Sequence, residues 1–149
     1  SITPSVAIEK THERMQKHFN SSSGPWTRSH MPRTVLVFVN ASAERAREQA
    51  KLAVENYWRA VEGTLDPAKV SQAVDNALVG TPEMVTDQMR ERFHREDRLM
   101  LWFDFNNHDN QDVKNSMQLF FEKVAPKFSA TATATAAAGV GVGVGGRHE

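Results

Sequence analysis

The chain has 149 residues, which is enough for one ordinary domain. Lysine plus arginine and aspartate plus glutamate each number 18, so no charge excess indicates a nucleic acid or an anionic membrane surface as a partner. The absence of cysteine excludes a disulfide framework, a thiolate nucleophile and a cysteine-ligated zinc site, and it fits a reducing compartment, so we expect the cytoplasm.

The first predicted element is a short amphipathic helix. The chain starts at Ser1 without an initiating methionine or a signal-peptide pattern, and this start suggests a chain cut from a longer one. From about Ala7 to Phe19, three apolar residues recur at loosely helical spacing among charged ones: Ile8, Met15 and Phe19. A polar run, residues 20–25, then ends the predicted helix.

A strand and a long helix are predicted next. The run Thr34 to Val39 is apolar on both faces and rich in β-branched residues, which is typical of a parallel sheet covered on both sides. Ser42 is suited to cap the following helix, and Gly63 to end it. The apolar positions of this helix share one face: Ala46, Ala50, Ala53, Val54, Tyr57, Trp58 and Val61.

Two shorter helices follow. Asp66 and Pro67 predict the start of a helix that runs to about Leu78. Thr81 is the predicted N-cap of the next helix, with Pro82 as its first residue. Its predicted buried residues recur at helical spacing: Val85, Met89 and Phe93.

A second strand and a last helix complete the predicted elements. Leu99 to Phe103 is again apolar on both faces, and both apolar runs are far shorter than the ~20 residues that span a bilayer. We expect Trp58 and Trp102 to pack in the core. The last helix is predicted from about Asp112 to Val124, with one apolar side: Val113, Met117, Phe120, Phe121 and Val124.

Residues 129–149 alternate Ala with Thr and then Gly with Val, without large apolar side chains. We interpret them as a low-complexity, disordered tail after a domain that covers residues 1–128. Within that domain, the alternation of strands and helices favours an α/β fold with parallel strands. Two such strands need partners along their edges, so the chain either self-associates or is the end of a larger barrel.

Three segments, in this order, carry a resemblance to a known family: residues 78–85 (LVGTPEMV), residues 97–103 (DRLMLWF) and residues 116–126 (SMQLFFEKVAP). Together they resemble the C-terminal end of luciferase-like monooxygenases, in which a Val-Gly-Thr/Ser-Pro-Glu turn opens a helix, strand eight follows, and the last helix closes with Val-x-Pro. The strand from Val35 to Val39 is similar to the seventh strand of that family. The resemblance covers about residues 34–128 and implies a truncated (β/α)8 TIM-type barrel, represented by strands seven and eight with their helices.

The resemblance also implies a function. Members of the family are flavin-dependent oxidoreductases that bind reduced FMN, or a deazaflavin, at the carboxyl mouth of the barrel, and the FMN enzymes oxidise an aldehyde, a sulfonate or another small organic substrate. Much of the flavin contact comes from earlier strands, so we expect the isolated chain to bind FMN weakly or not at all and to be inactive. A flavin reductase and a homo-oligomer stay open as partners, and nucleic acid and membrane are not expected.

Active-site candidates follow the second strand, because in such barrels the loops after the strands build the site. Asp104 and His108 are the catalytic candidates, and histidine is suited to proton transfer near neutral pH. Asn106 and Asn107 are candidates for the substrate-binding rim, as is Asn40 after the first strand. The alternative is structural: a polar turn that leads to a helix cap, with Asn40 as a turn former.

Other motifs predict no further chemistry. Residues 80–83 could bind a phosphate through helix amides, but Glu83 favours simple capping. A helical zinc pair would need a second histidine where Gln16 stands, and a calcium loop would need a bidentate glutamate where Asn115 stands, so we expect no metal site.

Two other functions stay open. One is a non-catalytic α/β module that acts by association, and the other is an aldolase-like or isomerase-like barrel with Asp104 as its base.

Overall fold

The computed structural model describes residues 5–19, 26–106 and 109–128. Its helices and strands alternate along the chain, as the sequence predicts. In chain order they are α1 (Ser5–Phe19), β1 (Arg33–Val39), α2 (Ala43–Glu62), α3 (Pro67–Asn76), β2 (Leu78–Gly80), α4 (Pro82–Arg92), β3 (Leu99–Trp102) and α5 (Asn110–Leu119). A short 3-10 turn (Arg28–His30) precedes β1, and a π-helical turn (Phe120–Val124) continues α5.

The three strands form an open parallel sheet in the order β2-β1-β3. The first half of β1 pairs with β3, with Arg33 opposite Leu99 and Leu36 opposite Trp102. The second half pairs with β2, with Val37 opposite Leu78. The α/β class and the parallel, side-by-side placement of the two predicted strands are therefore confirmed.

The strand β2 is absent from the sequence prediction, which ran a helix to about Leu78 and started the next one directly afterwards. Only three residues form it, and their extended conformation depends on pairing with the distant end of β1. Gly80 closes the strand with a φ of 144°, a conformation that L-residues rarely adopt. The amide of Asn40 donates to the Gly80 carbonyl over 3.1 Å and extends the pairing by one bond.

Helices cover β1 on both faces, because its side chains alternate between two apolar clusters. On one face, Leu36 and Phe38 pack against buried residues of α2 and α3, including Ala46, Ala50, Ala53, Val54, Val70, Ala73 and Val74. On the other face, Val35, Val37 and Val39 pack against residues of α4 and of the last helical segment, including Val85, Met89, Phe120 and Val124. The predicted burial of β1 on both faces is confirmed, apart from exposed Thr34.

The corresponding prediction for β3 is wrong. Met100 and Trp102 are 58% and 48% exposed, and only the opposite face of the strand packs against the core, through Leu99 and Leu101. The reason is helix cover, since on that face α2 packs over β1 and β2 rather than over β3. Trp102 is thus not a core residue, and Trp58 packs only partly buried against the cluster of α2 and α3.

The last helix also departs from the predicted pattern. Phe120 and Val124 are buried as expected, but Met117 and Phe121 are exposed, and the buried residue one turn earlier is Ser116. The buried residues recur every four positions, so this segment buries one narrow row of side chains and leaves the neighbouring row, Met117 and Phe121, exposed. Val61 in α2 is likewise exposed, although its spacing predicted a place on the buried face.

Four of the predicted helix ends agree with the structure. Ser42 accepts a hydrogen bond from the amide of Arg45, and Gly63 ends α2 in the left-handed conformation. Asp66 caps α3 ahead of Pro67, and Thr81 caps α4 ahead of Pro82. These local signals depend on neighbouring residues only, which is why the sequence identifies them.

No helix in the described ranges is both long enough and apolar enough to cross a bilayer. The predicted tail, residues 129–149, lies outside the described residues, and so do Asn107 and His108. The division of the chain at residue 128 therefore stays a prediction.

Candidate functional site at the carboxyl end of the sheet

All three strands end at the same edge of the sheet because they run parallel. Asn40 follows β1, Thr81 follows β2, and Asp104 lies two residues beyond β3. In open α/β sheets and in barrels, ligands bind at this carboxyl edge, where the loops after the strands meet. The structure thus brings the segments that carry the candidate residues to one end of the molecule.

Asp104 and Asn106 form part of the turn after β3. The Asp104 side chain is exposed, and Asn106 adopts a left-handed conformation with a φ of 51°, which asparagine tolerates better than most residues. The Asn106 carbonyl accepts a hydrogen bond from Nδ2 of Asn56 over 3.1 Å. Asn56, on α2, fixes this turn and has no signal in the sequence beyond its position on a half-buried helix face. The positions of Asn107 and His108 stay predictions.

Asn40 is engaged in a local turn. Its Oδ1 accepts a hydrogen bond from the amide of Ser42 over 3.0 Å, just ahead of the α2 cap. This contact agrees with the structural alternative, a turn former. A role at the substrate rim stays a prediction.

Ser116 is a positioning residue that the sequence reasoning missed. It lies on α5 and is buried, and its Oγ accepts a hydrogen bond from the amide of Val39 over 2.9 Å. The bond satisfies the last β1 amide and holds α5 against the carboxyl end of the sheet. A polar residue one turn before Phe120, within an apolar stripe, was the available signal.

The helix N-termini at this edge do not offer a free phosphate site. Oδ1 of Asp109 accepts from the amides of Gln111 and Asp112, while Ser42 and Thr81 cap α2 and α4. Each first turn also carries an acidic residue, as Glu83 does in α4. Hydrogen bonds from its own backbone amide and from Thr81 hold the pKa of Glu83 below its usual value. The helix N-termini at this edge therefore do not offer free amides to the phosphate of FMN, and residues 80–83 form a helix cap.

An aromatic groove opens on the face of the sheet beside this turn, between the sheet and the helices α2 and α3. Its volume is about 600 Å³, within the range of small-molecule sites. Phe105 lies 5.0 Å from Tyr57 and 5.1 Å from Trp102, measured between ring centroids. Nζ of Lys69 lies 5.2 Å from the centre of the Trp58 ring. The groove thus offers a mostly apolar wall next to the polar turn of Asp104 and Asn106.

The opposite end of the sheet carries a network of ion pairs. Asp97, just before β3, accepts hydrogen bonds from Arg28 over 2.6 Å and from Arg33 over 3.4 Å. Burial alone would raise the pKa of Asp97. The hydrogen bonds from Arg28 and from the His94 amide, together with the charges of both arginines, outweigh this effect, so the pKa lies below its usual value. Because the network lies at the amino ends of the strands, away from the loops that build an active site, we assign it a role in stability. No three side chains in the described ranges are placed to hold a metal ion together.

Comparisons with known proteins place this fold within a larger one. No protein-family model and no curated protein matches the sequence. Among solved structures, the chain is similar to the monooxygenase RslO1 from Streptomyces bottropensis, with a TM-score of 0.70 and 21% sequence identity. The similarity covers 85% of this chain but 40% of that one, so the chain spans about two fifths of the length of the solved monooxygenase. At this identity the likeness establishes the fold alone: the chain has the architecture of part of that structure.

Proposed function

We propose that the chain is the C-terminal part of a luciferase-like, flavin-dependent monooxygenase. The observation that carries the proposal is the fold similarity to part of the monooxygenase RslO1. The ordered motifs of residues 78–85, 97–103 and 116–126 add the luciferase-like assignment.

In this proposal the chain supplies the last strands of a barrel and one sector of its active-site rim. Asp104 and His108 are the proposed proton-transfer residues, and Asn40, Asn106 and Asn107 are the proposed substrate contacts. Reduced FMN supplies the oxygen-activating chemistry when bound, and a deazaflavin is the alternative cofactor. Its phosphate is held by residues outside this chain, since the helix N-termini described above are already capped. The substrate is a small organic molecule, and a flavin reductase is the proposed source of reduced cofactor.

A non-catalytic module that acts by association is the second candidate. The observation that favours it is the exposed face of β3, where Met100 and Trp102 lie open to solvent. A stand-alone sheet of three strands with such a face is suited to bind another protein surface.

The two candidates differ in what the DNA upstream of this coding sequence contains. An open frame for the preceding strands of a barrel would favour the enzyme, and non-coding sequence would favour the module. In the joined protein, we expect oxidation of an aldehyde or a similar substrate that depends on reduced flavin and oxygen. Asp104→Asn or His108→Ala should lower this rate about 10²-fold or more, as expected for a lost acid or base. Asp75→Asn, an exposed acid on α3, is the matched control. A joined protein without flavin-dependent oxidation would contradict the proposal.

A further inference from the structure

The two outer edges of the sheet differ in whether side chains bind their backbone groups. At β2, the side-chain amide of Gln88 replaces a neighbouring strand: Oε1 accepts from the Val79 amide over 3.0 Å, and Nε2 donates to the Val79 carbonyl over 2.7 Å. Arg92 donates to the carbonyl of Ala77 over 2.9 Å. In this chain, side chains of α4 therefore occupy the outward-facing backbone groups of Ala77 and Val79.

The outer edge of β3 has no such cover. Among residues 5–19, 26–106 and 109–128, only β1 forms hydrogen bonds to the backbone of Leu99–Trp102. Unpaired strand edges bind other strands readily, and proteins protect those edges that must stay free. The contrast with Gln88 at the opposite edge indicates that the β3 edge is available for pairing.

The exposed face of β3 and its flanks has a self-complementary order of side chains. Four exposed residues alternate with buried or half-buried ones along this segment: Arg98, Met100, Trp102 and Asp104. A cation stands at one end, an anion at the other, and two large apolar side chains lie between them. When a second copy of this segment runs in the opposite direction, each charge lies opposite a counter-charge and each apolar side chain lies opposite an apolar one.

We propose that two copies of the chain pair antiparallel along the outer edge of β3, around a two-fold axis at Leu101. This register places Arg98 opposite Asp104 of the second copy and Met100 opposite Trp102, each twice by symmetry. Residues directly opposite in an antiparallel pair point to the same face, so the exposed apolar side chains cover one another. The result is a six-stranded sheet with both exposed charges paired.

The overall charge of the chain permits this dimer. Acidic and basic residues balance at 18 each, so the two copies carry no net repulsion. The inference goes beyond the monooxygenase proposal and concerns the 149-residue chain by itself. In a complete barrel this edge would pair with a strand of the same protein, so a dimer of the isolated chain neither supports nor contradicts the enzymatic function.

Sedimentation velocity over a concentration series reaching hundreds of micromolar tests the dimer on the purified 149-residue chain. We expect a monomer–dimer equilibrium. Arg98→Glu should raise the dissociation constant about tenfold or more, since it sets like charges opposite each other twice. Combining Arg98→Glu with Asp104→Arg should restore the affinity of the unchanged chain. Arg95→Glu, the same charge change at an exposed position outside the proposed contact, should leave it unchanged.

Circular dichroism checks that each variant is folded, and all three side chains that change, Arg95, Arg98 and Asp104, are exposed. A chain that stays monomeric throughout the series would overturn the proposal. So would a dimer whose affinity does not respond to Arg98→Glu, or one that the double variant fails to restore, because association would then use another surface.

Discussion

The guanidinium of Arg28 donates from Nε to Oδ1 of Asp97 over 2.6 Å and joins two segments that are 69 residues apart in the sequence. Arg28 also binds Glu9 of α1 through both carboxylate oxygens, at 2.6 and 2.9 Å. One arginine therefore connects the first helix, the turn before β1 and the turn before β3. This contact holds the amino end of the sheet together, opposite the candidate site.

Replacing Asp97 should reveal the energy of this network. The Asp97 side chain is only 1% exposed, so Asp97→Asn leaves Arg28 and Arg33 without a nearly buried counter-charge. We expect the free energy of unfolding to fall by about 3 kcal/mol, as for other buried pairs that lose one partner. Urea denaturation measures the change. Asp75→Asn, which removes an exposed ion pair with Arg47, should cost less than about 1 kcal/mol. Equal losses in the two variants would contradict the assigned role.

Acid should weaken the same contact. The folded-state pKa of Asp97 lies below its usual value, so its contribution to stability is fully present above the unfolded pKa of about 3.9 and is lost as the pH falls through the folded pKa. The fall in unfolding free energy below about pH 4 should therefore be shallower in Asp97→Asn than in the unchanged chain. Urea titrations at a series of acidic pH values check this, and parallel curves would count against it.

His12 should respond at higher pH. It is 4% exposed on α1, and neither ring nitrogen has a hydrogen-bond partner. Burial, followed by the charge of Arg28, lowers the pKa of His12, so its contribution to stability is complete above the unfolded pKa of about 6.5 and declines as the pH falls below it. His12→Phe removes two unsatisfied polar atoms, and we expect about 1 kcal/mol of added stability at neutral pH.

The control for His12 is His18→Phe, an exposed position on the same helix. In His18→Phe the unfolding free energy should still decline between about pH 7 and pH 5. In His12→Phe this decline should be smaller. If His12→Phe is destabilising at neutral pH and keeps the full decline, the ring nitrogens must have partners in solution.

Gly80 should not tolerate a side chain. Its φ is 144°, and an added Cβ would lie 2.9 Å from Cβ of Met84 in the helix that follows. We expect Gly80→Ala to lower the unfolding free energy by about 2 kcal/mol or more, because backbone strain and a steric clash add. Gly63→Ala has a positive φ but open space around it, so it should cost only about 1 kcal/mol. Thermal unfolding of both variants makes the comparison, and equal costs would mean that Met84 moves aside freely.

These positions show what the sequence could and could not predict. The caps at Ser42 and Thr81 and the end at Gly63 follow from local chemistry, and the structure confirms them. The strand β2 depends on pairing between Leu78 and Val37, which are 41 residues apart, and three residues carry too little pattern to reveal it. The exposure of Trp102 depends on which strands α2 and α3 cover, and the apolar pattern of a single strand does not reveal this.

The candidate site divides in the same way. Asp104 and Asn40 could be placed at strand ends, because parallel strands bring their carboxyl ends to one edge. The bonds from Asn56 to the Asn106 carbonyl and from the Val39 amide to Ser116 could not be predicted, since they join residues 50 and 77 positions apart. Polar residues on helices have many structural roles, and only tertiary contact identifies these two.

Ser116 should matter more than its size suggests. Ser116→Ala leaves the buried amide of Val39 without a partner, so we expect a loss of about 2 kcal/mol in unfolding free energy. Amide hydrogen exchange should show the Val39 amide losing protection first. Ser71→Ala, at an exposed position on α3, should be nearly neutral. Unchanged exchange at Val39 in Ser116→Ala would show that another acceptor replaces the hydroxyl.

Equilibrium binding of reduced FMN, measured anaerobically, tests most directly the claim that this chain is part of a flavin-dependent barrel. The 149-residue chain and a protein that joins it to the preceding barrel strands are titrated side by side. We predict saturable binding of one flavin by the joined protein and weak or no binding by the chain alone. Tight binding by the chain alone, or none by the joined protein, would contradict the account.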